Sequence, residues 1–335
     1  MSILSVGKIR GLQQIAGADG VFSMCAMDHR GSLEAAICSP ERTDNCPREM
    51  TGFKLELCQA LAPHASAVLL DPIYGAAQAV AHNLIPKTCG LLVSLEATGY
   101  TGESQLRETH ILEGWGVAKL KRMAASAAKM LVYYRPDIQA LAQKQLQLVG
   151  EMAEECQLYD IPFLVEPVSY PIGEEVGNPR QFAKIKSQVV IQTARDITSL
   201  PIDVLKAEFP ADLKYEADES KLGEFCAELD RASQKPWVIL SAGADFETFI
   251  KEVELACRNG ASGFLAGRAV WQEAVTITEA ILRSKFLNGV ASERLQRLSE
   301  IAHKYATPWY KKCGLTAKNL MEIAPGWHSS YEALP

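Results

Sequence analysis

One strand–helix–strand unit of the chain reads AAKMLVYY (127–134), QKQLQLVGEMAEECQ (143–157) and IPFLVEP (161–167). The first and last runs are almost continuously apolar, whereas the middle run alternates apolar and polar residues with helical spacing. Apolar strands that alternate with amphipathic helices indicate a parallel sheet covered on both faces.

The same pattern extends from this unit in both directions. Six further apolar runs read VFSMCAMD (21–28), SAVLLDP (66–72), GLLVSLE (90–96), DVLKAEF (203–209), WVILSAG (237–243) and SGFLAGR (262–268). Eight such runs favour closure into a (β/α)8 TIM barrel of the α/β class. An open doubly wound sheet is disfavoured because no G-x-G-x-x-G follows the first strand and no P-loop occurs.

We predict a single catalytic domain over residues 1–335. A short helix over residues 8–18 precedes the first strand, the barrel core covers about 20–285, and a C-terminal helix and tail occupy 286–335. The net charge of -6 leaves no basic surplus for a nucleic-acid partner. The N-terminus lacks the apolar core of a signal peptide, and no apolar stretch is long enough to span a bilayer. We therefore expect a cytoplasmic protein with no membrane partner, and a homo-oligomer is the default expectation.

The nine cysteines are odd in number and include no C-x-x-C pair. This usage disfavours a disulfide scaffold and a structural zinc site. Several cysteines lie in apolar runs, which favours free buried thiols and a reducing compartment.

Two lysines interrupt apolar strands, and they are the most informative residues of the sequence. Side chains alternate along a strand, so Val204, Lys206 and Glu208 share one face and we expect Lys206 to point into the barrel. The same rule turns Lys129 inward from its strand. Glu166 ends the strand between them, so both ammonium groups are expected within about 10 Å of each other with a carboxylate between them.

This arrangement has two interpretations. In the first, a desolvated lysine beside a second cation loses its proton and forms a Schiff base, while Glu166 moves protons. In the second, the three side chains form a structural ion network inside the barrel.

The last two strands end in Ser241-Ala242-Gly243 and Ala266-Gly267-Arg268. Small residues expose backbone N–H groups, and an arginine adds a two-pronged donor. The loops after these two strands are the usual phosphate site of TIM barrels, which predicts phosphate binding here. The alternative is two tight turns and an ordinary surface arginine.

The first strand ends in Asp28-His29-Arg30, which places an acid and a base beside a turn glycine. We predict no metal site, because the six histidines are scattered and form no H-x-x-x-H pair. The segment 167–179 is rich in proline and glycine and is either a mobile lid or a long surface loop.

Taken together, these segments resemble the class I tagatose-1,6-bisphosphate aldolases and, more distantly, the sulfofructose-phosphate aldolases. The likeness covers nearly the whole barrel, from about Gly20 to Trp309. The segments that carry it are AMDHRGSL (26–33), SAVLLDPIYG (66–75), SLEATGYTG (94–102), AAKMLVYYRPD (127–137), IPFLVEPVSY (161–170), FAKIKSQVVI (182–191), IDVLKAEFPADLKY (202–215), WVILSAG (237–243) and ASGFLAGRAVW (261–271).

The resemblance implies a role for each matching residue. Lys206 matches the Schiff-base lysine, Glu166 the proton-transfer carboxylate, and Lys129 and Asp28 their polar partners. The match to the phosphate site of the ketone half falls on Ser241, Gly243, Gly267 and Arg268. The family usually has Asp-Gln-Arg at the end of the first strand, so His29, beside Arg30, is a departure that bears on hydroxyl recognition.

The predicted function is therefore reversible, metal-independent and cofactor-free cleavage of a phosphosugar such as tagatose 1,6-bisphosphate into dihydroxyacetone phosphate and glyceraldehyde 3-phosphate. Three alternatives stay open. They are a sulfofructose-phosphate aldolase, a phosphosugar isomerase or epimerase that uses Asp28 and Glu166 without an imine, and a non-catalytic metabolite-binding regulator.

Overall fold

A computed structural model describes residues 4–38 and 45–331 of the protein. Its centre is a closed barrel in which each strand pairs in parallel with the next and the eighth pairs with the first. The strands are β1 (Phe22–Ala26), β2 (Ala67–Leu70), β3 (Gly90–Ser94), β4 (Ala127–Tyr133), β5 (Phe163–Val168), β6 (Val204–Ala207), β7 (Trp237–Leu240) and β8 (Gly263–Ala266). Seven lie within the predicted apolar runs and β5 extends one residue beyond its run, so the TIM barrel prediction is confirmed.

Helices surround the barrel because the connections between parallel strands must cross its outer face. The α-helices are α1 (Val6–Ile15), α2 (Gly31–Ile37), α3 (Cys46–Leu61), α4 (Ala76–Ala81), α5 (Val117–Arg122), α6 (Gln139–Leu158), α7 (Pro179–Thr198), α8 (Glu219–Ala232), α9 (Phe246–Arg258), α10 (Arg268–Trp271), α11 (Ala280–Phe286), α12 (Ser292–Tyr305), α13 (Trp309–Lys312) and α14 (Trp327–Ser330). Short 3-10 turns occur at Ala62–His64, Gly173–Glu175 and Gln272–Thr276, and Leu287–Ala291 forms a π-helical turn.

The apolar side chains form two layers, as alternation along the strands requires. Leu205 and Ala207 of β6 belong to the layer between barrel and helices, whereas Val204 belongs to the barrel interior. The interior layer is closed at one end by α1, through Leu12 and Ile15. Lys206 therefore points inward, as the sequence predicts.

The C-terminal region completes the outer ring. Helix α12 packs against β1 and β8, between α3 and α9. The division into one catalytic domain with a C-terminal extension stays a prediction. Within residues 4–38 and 45–331, no helix combines the length and apolar character needed to cross a bilayer.

The expectation of free thiols is wrong for one pair of cysteines. Cys38, after α2, and Cys46, at the start of α3, form a disulfide with their Cα atoms 5.3 Å apart. Helix α2 packs against helix α3, so the residue after α2 meets the first residue of α3. This packing brings together two cysteines that are eight positions apart in sequence. The other seven cysteines are free, and six of them are buried. A cytoplasmic location stays a prediction. One of its arguments was that the cysteines are free thiols, and the disulfide weakens that argument.

Candidate active site

A cavity of about 550 Å³ opens at the C-terminal end of the barrel. Its wall contains all ten of the predicted site residues: Asp28, His29, Arg30, Lys129, Glu166, Lys206, Ser241, Gly243, Gly267 and Arg268. They come from β4, β5 and β6 and from the segments that follow β1, β7 and β8. Asp28 and Arg268 lie at opposite ends of the barrel sequence, and barrel closure brings them to one wall.

Glu166 bridges the two lysines. One carboxylate oxygen lies 2.6 Å from Lys206 Nζ and the other lies 2.9 Å from Lys129 Nζ. The neighbouring registers of β4, β5 and β6 produce this contact, since Leu131 pairs with Glu166 and Val165 pairs with Leu205.

Lys129 lies among three carboxylates. Its Nζ donates to Asp28 Oδ2 at 2.8 Å and to Glu96 Oε1 at 2.7 Å, in addition to the contact with Glu166. Burial alone would lower the pKa of Lys129, but these carboxylates together hold it well above its usual value. Lys129 therefore stays an ammonium group.

The carboxylates are ionised in return. Burial acts to raise the pKa of Glu166, but Lys129 and Lys206 outweigh burial and lower it. Asp28 behaves in the same way, with burial opposed chiefly by Lys129, and its pKa is also lowered. Both groups are therefore carboxylates near neutral pH, which is the protonation state a general base needs.

His29 is a neutral imidazole. Burial lowers its pKa to about 4, against the pull of Asp28, whose carboxylate lies 3.9 Å from Nδ1. Its ring packs edge-on against Trp271, with centroids 5.2 Å apart. In the described part of the chain Nδ1 has no hydrogen-bond partner, so it can meet a substrate hydroxyl.

Arg30 reaches under the loop after β3. Its Nη2 donates to the Glu96 carbonyl at 2.6 Å, and Nη1 is buried without a partner among the described residues. This guanidinium therefore keeps a donor for a ligand in the cavity.

The loops after β7 and β8 face each other. Gly243 adopts a left-handed φ of 79°, and a Cβ there would lie 3.4 Å from Arg268 Nη2. At Gly267 a Cβ would lie 2.9 Å from His29 Cε1. Both glycines thus leave room for neighbouring polar side chains to stand against the backbone.

The sequence analysis assigned no site role to several other polar residues of this wall, among them Glu96, Tyr133, Ser169 and Glu208. Glu96 ends the apolar run 90–96, and a carboxylate at the end of a strand is the signal that could have identified it. Glu208 was placed on the inward face with Lys206, and it accepts hydrogen bonds from Ser169 N at 2.8 Å and Oγ at 2.6 Å.

Asp71 also ends a strand but lies outside the cavity. It is fully buried, accepts hydrogen bonds from Ile73 N and Tyr74 N, and contacts Lys54 Nζ at 2.5 Å. Asp71 therefore acts as a turn residue and as the partner of a buried lysine.

Comparison with known proteins assigns the family. A model of the "DeoC/LacD family aldolase" matches residues 22–273, which is most of the chain and the whole barrel. The chain belongs to the DeoC/LacD aldolase family. It is therefore a carbon–carbon lyase of the aldolase type.

Relatives within this aldolase family include two that match along nearly their whole length. Tagatose 1,6-diphosphate aldolase of Listeria monocytogenes is 30% identical over 332 residues, covering 93% of this chain and 96% of that protein. The enzyme of the same name from Lactococcus lactis is 31% identical over 330 residues, covering 92% of this chain and 99% of that protein.

Solved structures of other aldolases superpose on this chain and support its barrel fold. An archaeal fructose 1,6-bisphosphate aldolase superposes with a TM-score of 0.59 at 18% identity, covering 88% of this chain and 98% of that one. A Schiff base-forming fructose-1,6-bisphosphate aldolase gives a TM-score of 0.56 at 17% identity, covering 87% and 98%. At this identity the likeness concerns the barrel alone.

Proposed function

We propose that this aldolase cleaves a phosphorylated ketose, such as tagatose 1,6-bisphosphate, through a Schiff base on Lys206. The products are dihydroxyacetone phosphate and glyceraldehyde 3-phosphate, and the reaction is reversible. The observation that carries the proposal is the unequal environment of the two inward lysines: three carboxylates hold Lys129 as a cation, whereas Lys206 has one ion-pair partner, Glu166, among the described residues. The substrate is the one named for the relatives at 30–31% identity.

Lys206 is the better nucleophile of the two. An amine attacks a carbonyl carbon only when it is unprotonated. Moving one proton from Lys206 to Glu166 frees its lone pair at a distance of 2.6 Å, while Lys129 stays charged beside the reacting centre. Lys129 also stabilises the anionic carboxylates that surround the imine.

The bond changes follow from this geometry. Neutral Lys206 adds to the ketone carbon, and Glu166 returns its proton to the hydroxyl group that leaves as water, which gives a protonated imine and restores the Glu166 carboxylate. The imine then accepts the electron pair of the C3–C4 bond as that bond breaks, while Glu166 takes the proton of the C4 hydroxyl. The aldehyde leaves, the enamine is protonated at C3, and water hydrolyses the imine to release dihydroxyacetone phosphate and free Lys206.

The remaining predicted residues bind the ketone half. Arg268 and the backbone around Ser241, Gly243 and Gly267 suit its phosphate, because they offer N–H donors at the barrel's usual phosphate position. His29 and Arg30 each present a buried polar atom that lacks a partner within the described residues, which suits the sugar hydroxyls.

The mechanism requires no metal ion. The ammonium of Lys129 fills the centre of the Asp28–Glu96–Glu166 cluster, and in residues 4–38 and 45–331 no group of three or more His, Cys, Asp or Glu side chains is arranged to hold a metal. The protonated imine withdraws electrons as a Lewis acid would.

A product assay tests the proposal. The protein is incubated with tagatose 1,6-bisphosphate and other ketose bisphosphates, before and after dialysis against EDTA, and released triose phosphates are quantified. We expect both trioses, with the same rate after dialysis. Six-carbon products would indicate an isomerase or epimerase, binding without turnover would indicate a regulator, and loss of activity restored by zinc would contradict the Schiff-base mechanism.

A further inference from the structure

Arg107 lies outside every motif discussed so far, yet three tyrosine rings surround it. Its guanidinium carbon is 4.7 Å from the ring centre of Tyr100, 5.6 Å from Tyr133 and 4.8 Å from Tyr170. The rings also contact each other edge-on, Tyr100 with Tyr133 at 5.2 Å and Tyr133 with Tyr170 at 6.3 Å. A guanidinium stacked on aromatic faces keeps its N–H edge available for a planar, two-pronged contact with an anion.

A hairpin after β3 fixes Arg107 in this position. Backbone hydrogen bonds between Thr101 and Glu108 close the hairpin, and Arg107 Nε donates to the Ser104 carbonyl at 2.8 Å. Gln105 accepts a hydrogen bond from Gly173 N at 2.7 Å, which joins the hairpin to the loop after β5. The arginine is therefore held in place by backbone contacts rather than by a counter-ion.

The cluster stands at the side of the cavity that faces away from Arg268. Tyr133 on β4 lines the cavity and contacts the Arg107 guanidinium. In an eight-stranded barrel β4 lies opposite β8 and β3 lies opposite β7, so the hairpin faces the predicted phosphate loops across the opening. A linear substrate anchored at Arg268 and attached to Lys206 on β6 extends towards β4.

The other cationic side chains near this side of the cavity are paired with carboxylates, whereas Arg107 is not paired with one among the described residues. Lys129 is neutralised by its three carboxylates, and Arg30 lies against Glu96. Arg135, the other arginine near this end of β4, is bound to Asp137, Glu175 and the Tyr170 carbonyl. In the described ranges no carboxylate forms an ion pair with Arg107.

Resting on the proposed function, we propose that Arg107, with Tyr100 and Tyr133, binds the tetrahedral anion at the far end of the ketose. The group is a phosphate or a sulfonate at C6, since both present oxygens that accept from a guanidinium and from tyrosine hydroxyls. The cluster thus selects ketoses that carry an anion at each end over ketoses that carry one.

The test compares two substrates in four proteins. The kcat/KM for tagatose 1,6-bisphosphate is divided by that for tagatose 1-phosphate in wild type, Arg107→Ala, Arg107→Lys and Lys144→Ala. Lys144 is the control, because it is exposed and pairs with Glu108 of the same hairpin. We expect Arg107→Ala to lower the ratio on the order of 10- to 100-fold, the scale of a lost charged hydrogen bond. Arg107→Lys should keep part of the preference, and Lys144→Ala should keep all of it.

The outcomes separate this inference from the proposed function. An unchanged ratio in Arg107→Ala overturns the inference, as does an equal loss in Lys144→Ala. Circular dichroism confirms that each variant is folded. Repeating the comparison with the C6 sulfonate in place of the C6 phosphate distinguishes the two anions: the natural one gives the larger wild-type kcat/KM and the larger loss in Arg107→Ala. If wild type cleaves none of these ketoses, the proposed function itself fails.

Discussion

Lys129 and Lys206 both enter the barrel interior, yet their partners assign them different chemistry. Asp28, Glu96 and Glu166 surround the ammonium of Lys129, which fixes its charge. Among the described residues Lys206 pairs with Glu166 alone, so in the proposed mechanism a single proton transfer frees its lone pair. At the scale of single residues, the proposed mechanism gives Glu166 two tasks: it takes a proton from Lys206, which speeds imine formation, and it takes the proton of the C4 hydroxyl, which cleavage requires.

Glu166→Gln separates these two steps. The glutamine keeps the shape of the side chain but cannot accept the C4 hydroxyl proton, so kcat for cleavage should fall roughly 10²–10⁴-fold. Dihydroxyacetone phosphate has no C4, and its imine with Lys206 should still form and be reduced by borohydride. Stopped assays of cleavage and mass spectrometry of the reduced protein measure the two steps.

A near wild-type cleavage rate in Glu166→Gln would move the base role to Asp28. His29 is the second candidate for that role, because burial keeps its imidazole neutral and able to accept a proton. Asp28→Asn is the matched variant that distinguishes the two carboxylates.

The sequence predicted the lysines and Glu166 because strand alternation fixes which side chains point inward. It did not predict that Glu96 contacts Lys129, since that contact depends on where the chain turns after β3. Arg107 was also missed, because the three tyrosines around it come from separate parts of the sequence. No recognisable sequence motif connects them to Arg107.

At the scale of elements, α3 holds the end of β1 in place. Lys54 Nζ donates to the carbonyl oxygens of Met27 and His29, at 2.7 Å each, and to Asp71 Oδ2 at 2.5 Å. Lys54 and Asp71 are completely buried. The hydrogen bonds from Lys54 fix the backbone on both sides of Asp28. Lys54 therefore positions the Asp28 carboxylate without lining the cavity.

Lys54→Met should destabilise the protein by about 3–5 kcal/mol, because it leaves the Asp71 carboxylate buried without its counter-charge. Urea unfolding measures the free energy of unfolding. Lys54→Met combined with Asp71→Asn removes that buried charge and should recover part of the loss. Two independent, additive losses would contradict an ion pair between these residues.

The elements themselves were predictable to different degrees. The eight strands could be predicted because their sequences are near-continuous apolar runs that alternate with amphipathic helices, a pattern typical of a buried parallel sheet. The hairpin after β3 did not, because its backbone pairing is local and leaves no apolar alternation. The Cys38–Cys46 disulfide depends on how α2 and α3 meet, which cysteine counting does not reveal.

At the scale of the whole molecule, one buried carboxyl on the outer ring affects stability. Burial raises the pKa of Glu252 on α9 to about 8, with Lys186 opposing it only in part. Between about pH 4.5 and pH 8 the folded protein therefore keeps a proton that the unfolded chain has released. Stability contributed by this group is present below that window and is lost as pH rises through it.

Glu252→Gln removes this penalty. Relative to wild type, the variant should gain up to about 3 kcal/mol of stability when pH rises from about 5 to about 7.5, since one pKa unit corresponds to about 1.4 kcal/mol. Thermal unfolding at several pH values measures the difference. The exposed Glu224 on α8 provides the control, and Glu224→Gln is compared with Glu252→Gln at each pH. A Glu252→Gln difference that does not change with pH would contradict the raised pKa.

The central claim is that Lys206 is the residue that forms the imine. The direct measurement is reduction with borohydride in the presence of dihydroxyacetone phosphate, followed by mass spectrometry of the digested protein. We expect the reduced adduct on the peptide that contains Lys206 and none on a Lys206→Arg variant, which lacks the nucleophilic amine. An adduct on Lys129, or no adduct at all, would contradict the account.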